Sequence, residues 1–408
     1  MDKERLKIAM LSVHSCPLQR LGGEDTGGMS VYIRELALEL GRCGHEVDIY
    51  TRAHDPQDEQ VYCLGPNVRL IHIEAGDVSE MNKLAIFPHA QNCARNLDQF
   101  RRQNNLEYDV IHSHYWLSGC VGTWLQDWWN IPHIPMFHTL GAIKNAVGVG
   151  ETEPELRIQS ESMVVGKCSG VIAATEREKA DIVHYYNADL DKIKVIPCGI
   201  NLDLFRPVDK EEARQRLGMN GHKVVLFVGR IQPLKGLDRL LGAMSYLSRE
   251  EVVELMVVGG DTGTQDEVER LRKLSHDMQI QHIVDFVGQV DQKELPFYYS
   301  AADVCVIPSY YESFCLVALE SLACGTPLVA TNVGGISGVV KQGENGYIVA
   351  GNDSVDIADA LGTLLTGQYE PDSVRDAVLA YDWSNIAELV VEEYREMIEH
   401  STYAKTFS

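Results

Sequence analysis

The sequence predicts an α/β protein made of two consecutive, doubly wound domains of similar size. Three observations predict it. The chain has 408 residues, more than one compact core accommodates. Short β-branched runs alternate with amphipathic helical patterns almost throughout, as in layers built around parallel sheets. A polar, proline-containing stretch, NLDLFRPVDK (201–210), reads as a linker between two such sets. The boundaries this gives are 1–200 and 201–382, followed by a helical segment, 383–408.

In the first set the strand patterns are KIAMLSV (7–13), EVDIYT (46–51), VRLIHIEA (68–75), DVIHSH (109–114), HIPMFHT (133–139), GVIAAT (170–175) and KVIPCG (194–199). After the first of them comes SVYIRELALELGRCG, a helix with Val31, Leu36, Leu38 and Leu40 as its apolar positions before Gly41 and Gly44. The second set comprises KVVLFVG (223–229), VELMVVGG (253–260), IVDFVG (283–288), DVCVIPS (303–309), PLVATN (327–332) and GYIVA (346–350). WSNIAELVVEEYREMIEH predicts a long closing helix. Open sheets of this kind take ligands at the carboxyl ends of their strands, so the expected site is the cleft between domains.

Composition narrows the function classes. With 45% hydrophobic and 23% charged residues the chain reads as a globular protein. A net charge of -23 argues against general binding to nucleic acid or anionic membranes. An anionic ligand must then be held by a few placed cations and backbone amides. No apolar run approaches the roughly 20 residues of a membrane span. MDKERLKIAML enters a strand pattern without a signal-peptide core, and a cytoplasmic location is expected. The ten cysteines include no C-x-x-C pair, and Cys305 and Cys324 lie in apolar patterns. Reduced thiols are expected, without disulfides or metal clusters.

Four motifs sit where strands hand over to helices. Gly229-Arg230-Ile-Gln-Pro-Leu-Lys235-Gly236 sets two cations five apart, a spacing suited to a diphosphate at a helix N-terminus, or to an exposed turn with two solvated cations. ESFCLVALE bounds an apolar run with Glu312 and Glu320. Eight helical residues would span about 12 Å, enough for one acid to take a sugar and the other a ribose. The alternative is a helix-start acid and a core-edge acid paired with a cation. Gly22-Gly23-Glu-Asp-Thr-Gly27-Gly28-Met-Ser30 is a glycine-rich loop that allows close backbone approach to a phosphate or sugar, but it lacks the dinucleotide fingerprint. His112 and His114 alternate along one strand without a second ligand cluster, so no metal is expected there. His138-Thr139 ends the next strand, inside the expected cleft.

Taken in order, Gly27-Gly28, His138, Arg230 with Lys235, and Glu312 with Glu320 resemble the retaining glycosyltransferases of family 4, which have the GT-B fold of two Rossmann-like domains facing across a cleft. The resemblance covers nearly the whole chain and implies a final helix crossing back to the N-terminal domain. It also implies residue roles. Arg230 and Lys235 would hold the donor diphosphate, Glu320 the ribose, and Glu312 the transferred sugar, with backbone amides at Phe314, Cys315 and Leu316. Gly27 and Gly28 would approach the diphosphate from the other domain, and His138 the donor sugar. DTGGMS, IHSHYWLSG and FHTLGAIKN are similar to two branches, the sucrose-phosphate synthases and the inositol-phosphate N-acetylglucosaminyltransferases of mycothiol synthesis. Lys83 matches a lysine that binds acceptor phosphate there, and Ser30, Tyr115, Thr139 and Arg157 fall at acceptor positions. Position 30 is Ser where the inositol-phosphate branch has Asn, and Val333–Gly338 departs from the commoner family form ending Pro-Glu.

The activity implied is transfer of a hexose of glucose or N-acetylglucosamine type, with retention. The donor is a nucleotide diphosphate-sugar, UDP-linked, and the acceptor a hydroxyl of a small phosphorylated sugar or polyol. No cofactor is implied; Mg²⁺ is compatible but not essential, and so is a homodimer. A GT-B nucleotide-sugar 2-epimerase and a non-catalytic nucleotide-sugar-binding protein share the donor features and remain open alternatives.

Overall fold

The computed structural model describes residues 5–18, 27–79, 81–219, 221–247, 253–260, 262–351 and 353–406. The segment 22–26 of the glycine loop, with Gly22 and Gly23, lies outside the described residues. The first lobe contains β1 (Lys7–Leu11), β2 (Glu46–Arg52), β3 (Val61–Gly65), β4 (Val68–Ile73), β5 (Val110–His114) and β6 (His133–Met136). They form one sheet in the order β3-β4-β2-β1-β5-β6, parallel except for the β3–β4 pair. β7 (Val171–Ala173) and β8 (Ile193–Val195) make a separate parallel pair.

The second lobe repeats the plan with β9 (Lys223–Val228), β10 (Val253–Val258), β11 (Val284–Gly288), β12 (Val304–Ile307), β13 (Leu328–Thr331) and β14 (Gly346–Val349). Its order is β11-β10-β9-β12-β13-β14, all parallel. The central strands of each sheet carry helices on both faces, so they are buried and read as continuous apolar runs.

Two sequence expectations need correction here. The helix after β1, Gly28–Arg42, does not bury Val31 and Leu38. Its covered face is Tyr32, Ile33, Leu36, Ala37 and Leu40, the i, i+3, i+4, i+7 stripe that packs on the sheet. The stretch NLDLFRPVDK is no loose linker. Phe205 is buried, and the Arg375 guanidinium donates to the carbonyls of Leu202 (2.8 Å) and Phe205 (2.5 Å) and also to that of Ala323.

The chain crosses between lobes a second time alongside the first. Ile200 N–H donates to the Tyr381 carbonyl (2.8 Å), and Ile200 pairs with Asp382. The helix Trp383–Thr406 then packs on the first lobe. Trp383 meets the edge of Tyr32 with ring centroids 5.4 Å apart, and the Tyr394 hydroxyl shares a 2.5 Å hydrogen bond with His112 Nδ1 in β5. Among the described residues, no helix is long and apolar enough to cross a membrane.

Candidate active site

The carboxyl ends of both sheets open onto one cleft of about 960 Å³, lined by residues of both lobes. Five cations line it (Lys83, Lys144, Arg157, Arg230, Lys235) against four carboxylates (Glu151, Glu153, Glu312, Glu320). A chain of net charge -23 therefore reserves a locally cationic surface for this cleft.

On the second-lobe side, β9 ends in Gly229, and the turn Pro233–Lys235 leads into the helix Leu237–Leu247. Gly236 makes that turn possible. Its φ is +68°, and a Cβ there would lie 2.1 Å from the Pro308 carbonyl oxygen, so the turn lies flat on the end of β12. Lys235 Nζ is thereby brought 2.7 Å from Glu312 Oε1, which also accepts from Ser309 Oγ (2.7 Å). The resemblance placed these two charges on different parts of a donor; the structure pairs them with each other.

The segment ESFCLVALE is not the eight-residue helix its spacing suggested. The helix starts only at Leu316, because Cys315 adopts a left-handed conformation (φ +82°), and the acids are separated by a bend as well as a helical turn. Glu320 is buried, and its Oε2 accepts from the Tyr299 hydroxyl (2.7 Å). Burial pushes its pKa up to about 7. Its fixed partner is this neutral hydroxyl rather than the cation that a purely structural reading expected.

Helices that begin at the cleft without side-chain caps or first-turn acids include one from each lobe, Gly28–Arg42 and Leu316–Ala323. Their first amides and positive dipole ends suit an anion. A Cβ on Gly27 would lie 3.6 Å from Arg230 Nε, and one on Gly28 would lie 3.4 Å from Leu316 Cδ1. The glycine pair thus brings bare first-lobe backbone to the cation and helix start of the second lobe.

His138 also has a left-handed backbone (φ +60°). Its Nε2 shares a 2.9 Å hydrogen bond with His114 Nδ1, and its ring meets the edge of Tyr32 at 5.2 Å. Burial lowers its pKa to about 3, so it is a neutral imidazole at the cleft wall. Among the described non-glycine residues with positive φ, four are Asn and one is Gln279; the remaining three are Tyr115, His138 and Cys315. Those three all line the cleft, which is where strained backbone is expected to serve a site.

A second basic cluster surrounds Tyr115 in the first lobe. Lys83 Nζ stands 6.0 Å from its ring centroid and the Arg157 guanidinium 4.7 Å, while the His14 ring lies 4.3 Å away. Arg157 is buried, with Nε on Glu161 (2.7 Å), Nη1 on Glu153 (2.9 Å) and Nη2 on the Thr139 carbonyl (2.8 Å) and hydroxyl (3.0 Å). Most of its donors are committed within the protein, so it orients Thr139 and the cluster more than it offers a free fork. Lys144 pairs with Glu153, and its pKa is lowered by burial against the opposing pull of that carboxylate. His14 is driven well below its ordinary pKa by burial and by the nearby Lys83 and Arg157 charges.

Of the donor and acceptor residues that the resemblance implied, all line the cleft except Ser30. Ser30 is the correction: it lies on the inner face of the Gly28–Arg42 helix, buried, with Oγ 2.7 Å from Ser15 Oγ. At about 100° per residue, Gly28, Met29, Val31 and Tyr32 reach the cleft while position 30 turns to the sheet. Sequence reasoning missed His14, Lys144 and Glu153. Lys144 lies in the quoted FHTLGAIKN, six residues after His138, and a helical turn after that strand end would have pointed to it. His14 carries no such signal.

The comparisons agree with this geometry. The family model for "Glycosyltransferase Family 4" matches residues 26–204 and that for "Glycosyl transferases group 1" matches 209–379. A D-inositol 3-phosphate glycosyltransferase 2 of Catenulispora acidiphila is 41% identical, over 96% of this chain and 95% of its own. A D-inositol 3-phosphate glycosyltransferase of Corynebacterium diphtheriae is 42% identical, over 88% of this chain and 86% of its own. Among solved structures, a sucrose-phosphate synthase of Thermosynechococcus elongatus superposes with a TM-score of 0.88 at 34% identity, covering 97% of this chain and all of that one. The Anabaena protein HepE, solved with UDP and glucose, shares the fold at a TM-score of 0.76 and 20% identity, covering 96% of this chain and all of that one. With both lobes and the cleft between them matched, the chain belongs to glycosyltransferase family 4 and is a sugar-transferring enzyme of the GT-B fold.

Proposed function

We propose that the chain transfers a hexose of glucose or N-acetylglucosamine type from a UDP-sugar to a hydroxyl of a small phosphorylated sugar or polyol, with retention. The observation that carries the acceptor half is the basic cluster around Tyr115: Lys83, Lys144 and Arg157, with Glu153 and Glu161 offsetting only part of the charge. It lies apart from the pair Arg230 and Lys235, so the cleft holds cations for two anions. The relatives named for inositol 3-phosphate and sucrose phosphate support an acceptor of this class. The HepE structures with UDP-glucose support the donor.

In this reading the donor diphosphate lies between the uncapped helix starts, against Arg230 and Lys235. Charge grows on the diphosphate as the glycosidic bond breaks, and these groups are already aimed at it. They take the part a divalent ion plays elsewhere, and no cofactor is invoked. Binding of the diphosphate draws Lys235 from Glu312, freeing that carboxylate for sugar hydroxyls, while Glu320 takes the ribose. Neutral His138 orients and polarises the reacting face. The acceptor hydroxyl enters on the face from which the phosphate departs, and the leaving phosphate takes its proton.

The test is a mass-spectrometric screen of UDP-glucose, UDP-N-acetylglucosamine and GDP-mannose against inositol phosphate, fructose 6-phosphate and phosphoglycerate, with the product anomer read by NMR coupling. A phosphorylated α-glycoside formed from an α-linked UDP donor is expected. Turnover only with unphosphorylated acceptors, or an inverted product, overturns the proposal.

A further inference from the structure

The carboxyl ends of β1, β2 and β4, neighbours in the first sheet, gather a thiol and two imidazoles outside the cleft. Cys16 follows β1, His54 follows β2, and His72 lies in β4. Their ligand atoms all lie within 4.8 Å of one another, and Cys16 Sγ is 3.7 Å from His72 Nε2. Asp58 adds a carboxylate whose Oδ2 is 3.1 Å from His54 Nδ1 and 3.8 Å from His72 Nε2. None of the four lines the cleft.

We propose that Cys16, His54 and His72 form a structural zinc site, with Asp58 beside them. Zinc bonds of about 2.3 Å to sulfur and about 2.0–2.1 Å to nitrogen or oxygen give tetrahedral S···N edges of about 3.6 Å and N···O edges of about 3.3 Å. The Cys16–His72 separation of 3.7 Å is close to the S···N edge. The surroundings orient the ligands as well. His72 Nδ1 sits 2.9 Å from the Glu59 carbonyl, a contact that makes Nδ1 the proton carrier and leaves the Nε2 lone pair facing the cluster. Asp58 Oδ2 is held by the backbone N–H groups of Asp55 (3.0 Å) and His54 (3.2 Å).

A hydrogen-bonded polar cluster is the plainer account, and one atom tells against it. His54 Nδ1 is buried and, despite its closeness to Asp58, makes no hydrogen bond. Leaving a buried polar nitrogen unsatisfied is costly, whereas an imidazole that ligates an ion has no need of a hydrogen bond to its neighbour. The donor set also selects the ion: thiolate with imidazoles suits zinc, whereas magnesium and calcium take oxygen ligands. Cys16 binds as the thiolate, and its proton leaves to solvent.

Such an ion would tie the segment after β1 to the ends of β2 and β4. That segment carries His14, which packs on Tyr115, and Ser15, which meets Ser30 at the start of the Gly28–Arg42 helix. The zinc would therefore brace the floor of the basic cluster without touching a substrate.

The full chain is purified without added metal, assayed for zinc by mass spectrometry, stripped with a chelator and titrated with Co²⁺. One zinc per chain is expected. The cobalt form should show a thiolate-to-metal charge-transfer band and the visible bands of a tetrahedral ion. Cys16→Ser should abolish the charge-transfer band, and His72→Ala should lower zinc affinity at least tenfold. Replacing the exposed Cys43 and Cys63 with Ser should change neither. Absence of metal uptake by the stripped parent protein, or a charge-transfer band lost with Cys43 and Cys63 rather than with Cys16, overturns the proposal. The cobalt spectrum of the parent decides the matter even if a variant fails to fold, and it does not depend on the transferase reading.

Discussion

Replacing Lys235 with Ala is the sharpest perturbation of the donor side. Its ammonium is largely shielded from solvent and 2.7 Å from Glu312 Oε1. A phosphate oxygen replacing that carboxylate would meet the ammonium at about 4 Å or less between charge centres. Two unit charges at that separation interact by about 4 kcal/mol at the effective dielectric near a protein surface. Arg230 shares the load, so a loss of about 3–4 kcal/mol is expected in the transition state. At about 1.4 kcal/mol per tenfold, that is 10²- to 10³-fold in kcat/KM for the donor. The same ammonium also neutralises Glu312, and calorimetry with UDP, which lacks the sugar, separates the two roles. Lys235→Ala should weaken UDP binding about 10²-fold, whereas Glu312→Gln should leave it unchanged or tighten it by releasing the lysine. A kcat/KM within threefold of the parent refutes the reasoning. Equal weakening by both variants would mean that Lys235 acts only through Glu312.

Further outcomes follow from the same geometry. Lys83→Ala should raise KM for a phosphorylated acceptor at least tenfold while leaving donor KM within twofold, as initial-rate kinetics will show; an unchanged acceptor KM removes that pocket. Tyr299→Phe deletes the hydroxyl that holds the Glu320 pKa down, so the pH midpoint of UDP binding should move upward from about 7, and an unmoved midpoint separates Glu320 from the ribose. Glu178 is buried where the lobes meet, and burial raises its pKa to about 7 against the opposing hydrogen bonds from Ala174 and Ser313. Below pH 4.5 it is protonated in both states and costs nothing. Between 4.5 and 7 only the unfolded form ionises, so stability falls as pH rises, and above about 7 the whole cost of about 3 kcal/mol is present. Glu178→Gln should therefore raise Tm more at pH 8 than at pH 5, and an equal shift at both pH values contradicts the burial account.

What the sequence showed and what it hid divide along a physical line. The buried parallel strands were legible because central strands need unbroken β-branched runs, as KVVLFV and VELMVV show. Strand β3 (VYCLG) was not read, although Gly65-Pro66-Asn67 marks its turn; at the sheet edge only part of each side chain is covered, and the apolar signal fades. The cations and acids of the donor side were legible because their motifs lie in one loop each. The left-handed backbones of Tyr115, His138 and Cys315 were not, since nothing in those residue types favours positive φ and only the assembled cleft imposes it. Cys16, His54 and His72 escaped for the same reason: three adjacent strand ends bring them together across 56 residues of sequence.

The two crossings between lobes decide where the strain can act. Ile200 is paired beside Asp382, and Arg375 clamps the first crossing through the carbonyls of Leu202 and Phe205. Two fixed strands of chain side by side leave rotation about one short axis as the easiest motion between lobes, a hinge in which the backbone at the crossing absorbs the change. Contacts across the cleft include the polar pairs Arg34 with Gln292 (2.6 Å) and Arg177 with the Asn332 carbonyl (3.1 Å), and Tyr311 packed on the first-lobe core. The polar pairs exchange readily with water, so a ligand between Gly27-Gly28 and Arg230 would add weight to a closed cleft. A diphosphate there adds charge-assisted bonds to both lobes at once, and only the closed state makes both sets. That differential is what a ligand needs to shift a conformational equilibrium. On the proposed function, closure and leaving-group stabilisation would draw on the same few groups, Arg230 from one lobe and Gly27 from the other.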